Sequence, residues 1–142
     1  MIHYSDDIVG TALEDTIIEC ALTLDQEEAF VVACAGLHEL ARYRRFYRDD
    51  SRQREENNRS RLLRLIGSVG PHTPGRTSAR WVITHADAGC DSAGESRLLY
   101  LLTKASLQGL ETQYPVSAAN KWYFIDIAIP EHRIGIEFDG RG

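Results

Sequence analysis

Lysine is nearly absent from this chain of 142 residues: two lysines stand beside fourteen arginines. Cysteine is scarce as well. Cys20, Cys34 and Cys90 are odd in number and form no C-x-x-C pair, which argues against a disulfide framework and against a structural zinc site. Such cysteine usage fits a reduced, cytoplasmic protein. No apolar run approaches the roughly 18–20 residues that a membrane span takes. The opening stretch MIHYSDDIVG has neither the basic nor the apolar region of a secretory signal, so no membrane partner is expected. Internal repeats and long low-complexity tracts are missing too. With 43% hydrophobic and 26% charged residues, the composition is that of a globular chain, and one of this length buries roughly two-thirds of its unfolded surface without staples.

An overall positive charge is also lacking. The net charge of −5 argues against a protein coated for nonspecific nucleic-acid binding. The charge is unevenly spread, however. Between Arg42 and Arg64, nine arginines meet only Asp49, Asp50, Glu55 and Glu56, a local +5, so the other 119 residues carry −10. In that stretch Arg42, Arg45, Arg48 and Arg52 are candidates for following a nucleic-acid backbone. A solvated helix face with interspersed acids explains them equally.

The periodicity predicts an α+β chain with its helices first. Thr11 to Leu24 spaces Leu13, Ile17, Cys20 and Leu24 as one helical face. Asp25 and Glu28 have the form of a capping box and open a second helix through AFVVACAGLHEL. The arginine-rich stretch continues as helix or frays around Asp49–Ser51, and a further helix bearing Leu62, Leu63, Leu65 and Ile66 ends near Gly67. Residues 67–75 (GSVGPHTPG) hold three glycines and two prolines and break the chain. A short helix, Ser78 to Ala88, and a loop, Gly89–Asp91, follow. Ser92 and Glu95 then form S-x-x-E ahead of a leucine stripe that runs toward Gly109. Beyond it the period switches to two, and Glu111–Ser117, Lys121–Ile129 and Arg133–Phe138 read as three strands of an antiparallel meander. The organisation expected is thus a helical region over 1–75, a connecting helix and loop over 76–91, and a helix-plus-meander unit over 92–142.

The last hairpin carries the sharpest inference. Tyr123, Ile125, Ile127 and Ile129 share one face of their strand, and Trp122, Phe124, Asp126 and Ala128 share the other. Ile134, Ile136 and Phe138 likewise oppose Gly135, Glu137 and Asp139. If the isoleucine faces lie on one side of the sheet, paired positions sum to an odd number, such as 127 with 136, and Asp126 falls beside or opposite Glu137. Like charges so placed destabilise a strand pair, and a divalent cation held by oxygen ligands would offset the repulsion. Solvated carboxylates on an exposed sheet face are the other reading. Glu95 has two compatible readings, a capping-box residue at the third helical position and a carboxylate projecting beyond the helix end. His38-Glu39-x-x-Arg42 falls one histidine short of H-E-x-x-H, and Cys20 and Cys34 sit in apolar helical patterns as small buried hydrophobes.

The blocks E-S-R-L-L (from Glu95), G-L, Q-Y-P-V, W-Y-F-I-D-I-A-I-P and R-I-G-I-E-F-D-G, in that order over Ser92 to Gly140, resemble the core of a bacterial protein family of unknown function. That family is similar to the very-short-patch-repair and restriction endonucleases of the PD-(D/E)XK superfamily. The likeness covers about a third of the chain. It implies a partial restriction-endonuclease-like core with a catalytic set of Glu95, Asp126 and Glu137. Asp126, Glu137 and the backbone carbonyl of Phe138 would hold Mg²⁺ or Mn²⁺, and Glu95 would act as an outer ligand or orient the water. Gln113 matches the glutamine leading the first strand, a supporting role. Asp139 stands where the superfamily has its lysine, as a further ligand or the start of the Asp-Gly turn. Ile125 replaces the nominal proline. Family members continue past this Asp-Gly with a histidine, a helix and a strand, so the expectation is a chain truncated within its core, prone to self-association through an incomplete sheet.

Two functions follow as expectations. One is a metal-dependent DNA endonuclease hydrolysing phosphodiester bonds. The alternative is a non-catalytic nucleic-acid-binding or regulatory protein of a toxin–antitoxin or phage-defence pair, using the arginines of 42–64.

Overall fold

The computed structural model describes the backbone of residues 2–5 and 8–140 and the side chains from 10 to 140. The fold is α+β. A short antiparallel hairpin, β1 (Ile2–Ser5) and β2 (Ile8–Gly10), comes first. Strands of four and three residues are too short to show a period, and the sequence pattern did not point to them. The helices follow: α1 (Leu13–Thr23), α2 (Gln26–Ala41), α3 (Arg48–Ser68), α4 (Arg76–His85) and α5 (Ala93–Lys104). A three-stranded antiparallel meander, β3 (Glu111–Ala118), β4 (Lys121–Ile129) and β5 (Ile134–Ile136), ends the described chain. Among the described residues, no helix is long and apolar enough to cross a membrane.

Helix α2 is the axis of the packing. Its N-cap Asp25 accepts the Glu28 N–H at 3.1 Å, the first half of the expected capping box. Alanines on the helix (Ala29, Ala33, Ala41) let its neighbours approach, and Phe30, Cys34 and Leu37 fill the space between them. The Phe30 ring meets Trp81 of α4 and Tyr100 of α5 at centroid distances of 6.0 and 5.5 Å, inside the range of favourable aromatic pairs. One apolar cluster takes in Ile17, Leu37, Leu62, Val82, Leu99 and Ile127, so residues from all five helices and β4 share a core. Helix α4, read from the sequence as a connector, buries Ala79, Val82 and Ile83 there.

The arginine-rich stretch differs from its sequence reading. The break lies at Arg42, which takes a left-handed conformation (φ 47°) and ends α2, and a 3-10 turn over Arg45–Tyr47 leads into α3. Helix α3 then runs unbroken through Asp49–Ser51 because Ser51 is drawn inward, its hydroxyl accepting the Arg44 N–H at 2.9 Å and donating to the Arg44 carbonyl at 3.2 Å.

Helix α3 is joined to the sheet by a polar seam. Glu55, 3% exposed, accepts Arg52 Nη1 at 2.6 Å, Arg59 Nη2 at 2.8 Å and the Ala88 N–H at 2.9 Å. Asp87 Oδ1 accepts Arg52 Nη1 at 2.8 Å, the Thr112 hydroxyl at 2.6 Å and the Gly89 N–H at 2.7 Å. Arg52 Nη2 completes the link to β3 on Thr112 Oγ1 at 2.8 Å. Arg59 also donates to the Ile83 and Ala86 carbonyls at the end of α4, both at 2.7 Å. Burial alone would depress the Arg52 guanidinium, but Asp87 and Glu55 outweigh it and hold the charge firmly in place. Position 89 must be glycine for closeness, since a Cβ there would run into Thr112 Oγ1 and press on the Arg52 guanidinium.

Candidate functional site

Strand β4 spans Lys121–Ile129 as its period-two pattern predicts. The β4–β5 register pairs Ile127 with Ile136, Ala128 with Gly135 and Ile129 with Ile134. Continued by one residue, it sets Asp126 opposite Glu137. Strand β5 is shorter than its sequence reading and stops at Ile136. Past that end a side chain holds the chain in place, with the Phe138 N–H donating to Asp126 Oδ2 at 2.9 Å.

Helix α5 brings the third carboxylate. The Phe138 ring packs over Gly94, where a Cβ would overlap it, and so the first turn of α5 lies against the end of the hairpin. Glu95, 7% exposed, is anchored there as a capping-box residue. Its N–H donates to the N-cap Ser92 hydroxyl at 3.2 Å, while its carboxylate accepts the Ser92 hydroxyl at 3.0 Å and the Asp91 N–H at 2.9 Å. Both readings of Glu95 hold together: it caps the helix and adds to the local negative charge. Burial, and then the Asp126 charge against the relief from Asp91 and Ser92, leaves the Glu95 carboxyl above its ordinary range. The Glu137 carboxyl is raised as well, by partial desolvation, then by the Asp126 charge and a hydrogen bond to the Asp126 carboxylate, with Glu95 adding to it. The three acids therefore act on one another.

Gln113 lies on the same line. The β3–β4 register pairs Thr112 with Ile127 and Tyr114 with Ile125, which places Gln113 across from Asp126. Gln113 is 1% exposed, its amide oxygen and nitrogen have no hydrogen-bond partner, and its φ is +47°. An orphaned buried amide and a left-handed non-glycine residue each oppose folding by about 1–3 kcal/mol. Strain of this kind gathers at sites shaped for a ligand rather than for stability. Replacing the amide with an apolar group of similar length, Gln113→Met, is expected to raise stability by about 1–2 kcal/mol in urea unfolding. A loss of stability would mean that the amide is satisfied in solution.

The donor set fits a small, hard cation. Among the described residues no group of three or more His, Cys, Asp or Glu side chains is gathered as a metal cage. Magnesium is commonly held by only one or two carboxylates, with water and phosphate oxygens completing its shell. The Asp126–Glu137 pair, with a backbone carbonyl next to it, meets that need. Asp139 is exposed in the chain after β5.

The arginines separate into two groups. Arg52, a sequence candidate for nucleic-acid contact, is committed to Glu55, Asp87 and Thr112 through both terminal nitrogens of its guanidinium, and Arg48 donates to Glu111 at 3.0 Å. Arg42 and Arg45, with Arg44 between the helices, are exposed, and among the described residues they form no ion pair. His38 Nδ1 lies 2.8 Å from the Ala88 carbonyl oxygen, a structural tie. Cys34 and Cys90 are buried, and their mutual hydrogen bond followed by burial pushes the Cys90 thiol far up, so Cys90 is no reactive thiolate. Sequence reasoning missed Phe46 and Tyr47, which are 71% and 62% exposed beside these arginines. Their signal was the aromatic pair inside an arginine run.

Compared with protein families, with curated proteins and with solved structures, the chain matches none.

Proposed function

We propose that this chain is a metal-dependent nuclease of the restriction-endonuclease-like class, hydrolysing phosphodiester bonds in DNA. The observation that supports it is the end of the β4–β5 pairing, where the register of Ile127 with Ile136 leads on to Asp126 and Glu137, with the Asp126 charge acting on both Glu137 and Glu95. Asp126 and Glu137, together with the Phe138 carbonyl, would hold Mg²⁺ or Mn²⁺. When bound, the ion supplies Lewis-acid stabilisation of charge on the cleaved phosphate and acidifies the attacking water. Glu95, fixed by the Asp91 and Ser92 hydrogen bonds and raised in pKa, would orient a water and could accept its proton. Gln113, across from Asp126, would support the site, and Asp139 would be a further ligand or only the start of the Asp-Gly turn.

Titration calorimetry with Mn²⁺ tests this. The wild-type chain is expected to bind an ion, and Asp126→Ala/Glu137→Ala to weaken it at least tenfold while keeping its circular dichroism spectrum. A folded wild type that binds no ion, or binding that survives the double substitution, removes the pair as a metal centre. Arg42, Arg44 and Arg45, exposed and without an ion pair among the described residues, support a second reading, a non-catalytic nucleic-acid-binding module. It predicts binding with a steep salt dependence and no cleavage.

A further inference from the structure

Large aromatic side chains rarely stand out into water together, and here they do so beside arginines that have no ion pair among the described residues. Phe46 and Tyr47 are 71% and 62% exposed on the 3-10 turn, and Trp122 is 62% exposed at the start of β4. Arg44 lies over the Tyr47 ring at 5.9 Å and Arg45 over the Phe124 ring at 5.4 Å, while Phe46 meets Phe124 edge-on at 5.0 Å. Two open cavities share Arg45 and Phe46. One, of about 520 Å³, reaches Asp91, whose amide holds Glu95. The other, of about 260 Å³, runs between Phe46, Pro115, Trp122 and Phe124, with Asp49 the acid on its rim. Trp122, Phe124 and Asp126 alternate along β4, so the aromatic row leads along one face of the strand to the carboxylate pair.

From this arrangement we infer that the surface of Arg45, Phe46, Phe124 and Trp122 takes a single-stranded nucleic acid, its bases stacked on the rings and its phosphates against Arg44 and Arg45. Duplex DNA offers its phosphates but keeps its base faces covered, so exposed rings gain nothing from it. Unpaired bases present a π-face to every ring. The charge is complementary: the arginines have no ion pair among the described residues, in a chain that is otherwise acidic. The inference deepens the nuclease reading by naming its substrate class, and it rests on that reading only for what happens at Asp126.

Binding without metal separates the two. A labelled oligothymidylate of about 12 nucleotides and a duplex of equal length are titrated in EDTA by fluorescence anisotropy. The single strand is expected to bind at least tenfold more tightly and to quench Trp122 emission. That quench survives Trp81→Phe and disappears in Trp122→Phe. Phe46→Ala/Trp122→Ala is expected to weaken single-strand binding tenfold or more, whereas Asp126→Asn/Glu137→Gln does not weaken it, since in EDTA the loss of two negative charges only relieves repulsion of the strand. A wild-type chain that binds the single strand but shows no Mn²⁺-dependent cleavage refutes the nuclease reading alone. Equal affinity for the duplex, or binding indifferent to Phe46 and Trp122, overturns the platform. So does a concentration-dependent dimer in sedimentation that Phe46→Ala/Trp122→Ala dissolves, because the rings would then be a protein interface.

Discussion

Glu55→Ala is expected to cost about 3–5 kcal/mol, a large share of a total stability of about 5–15 kcal/mol. Glu55 is the shared acceptor of Arg52, Arg59 and the Ala88 amide. Its removal leaves a half-charged network inside the seam, and uncompensated buried charge is among the most destabilising defects a single substitution makes. Glu56→Ala is the matched control. Glu56 pairs with the same Arg59, at 3.2 Å, but its side chain is 64% exposed, so its loss is expected to fall within about 0.5 kcal/mol. Urea unfolding of both variants reads the difference, and equal losses would mean that the seam is not a structural unit. The same seam sets the acid limit of the fold. Burial works against ionised Asp87, yet Arg52, Thr112 and Gly89 hold its carboxyl below its unfolded value of 3.8. Its contribution is therefore complete above that value and is lost as pH falls through the folded pKa.

This seam also shows what the sequence could not convey. The helical periods, the Asp25 and Ser92 caps and the alternation of β4 are local signals, and each was legible because neighbouring residues determine it. Which arginines face inward depends on partners 35 and 60 residues away, Asp87 and Thr112 for Arg52. Charge counting over 42–64 treats Arg45 and Arg52 alike, but tertiary contact makes one a free surface cation and the other part of the interior. The break in the stretch was misplaced for a similar reason. Ser51 is a middling helix former, and its hydrogen bonds to the backbone of Arg44, seven residues earlier in the preceding turn, hold it inside the helix.

At the candidate site, parity did most of the work. Because side chains alternate with period two, burying Ile127 with Ile136 leaves Asp126 no place except across from Glu137. Glu95 was legible as a cap, while its approach to the pair required Phe138 to pack on Gly94, a contact 44 residues apart in sequence. The left-handed backbone of Gln113 has no sequence signature, since glycine, asparagine and aspartate are the residues that announce such a conformation.

The carboxylate pair is expected to separate activity from stability. If the nuclease reading holds, Asp126→Asn or Glu137→Gln lowers Mn²⁺-dependent cleavage by about 10³-fold or more, the several kcal/mol of charge stabilisation that a bound ion supplies. In EDTA at neutral pH the Glu137→Gln chain should melt no lower than wild type, because the substitution removes a charge that Asp126 and Glu95 oppose. The pH dependence distinguishes this from a merely structural carboxylate. Glu95 and Glu137 titrate above their unfolded value of 4.5, so the native state binds more protons than the unfolded one in the window just above it. Without metal, this pair of groups makes stability fall as pH rises through that window. With Mn²⁺ the sign reverses, since the ion binds the ionised form and displaces protons. Thermal melts across that window, with and without Mn²⁺, are expected to diverge as pH rises in the wild type and to stay parallel in Glu137→Gln. Parallel melts in the wild type would reduce Asp126 and Glu137 to two acids sharing the end of a hairpin.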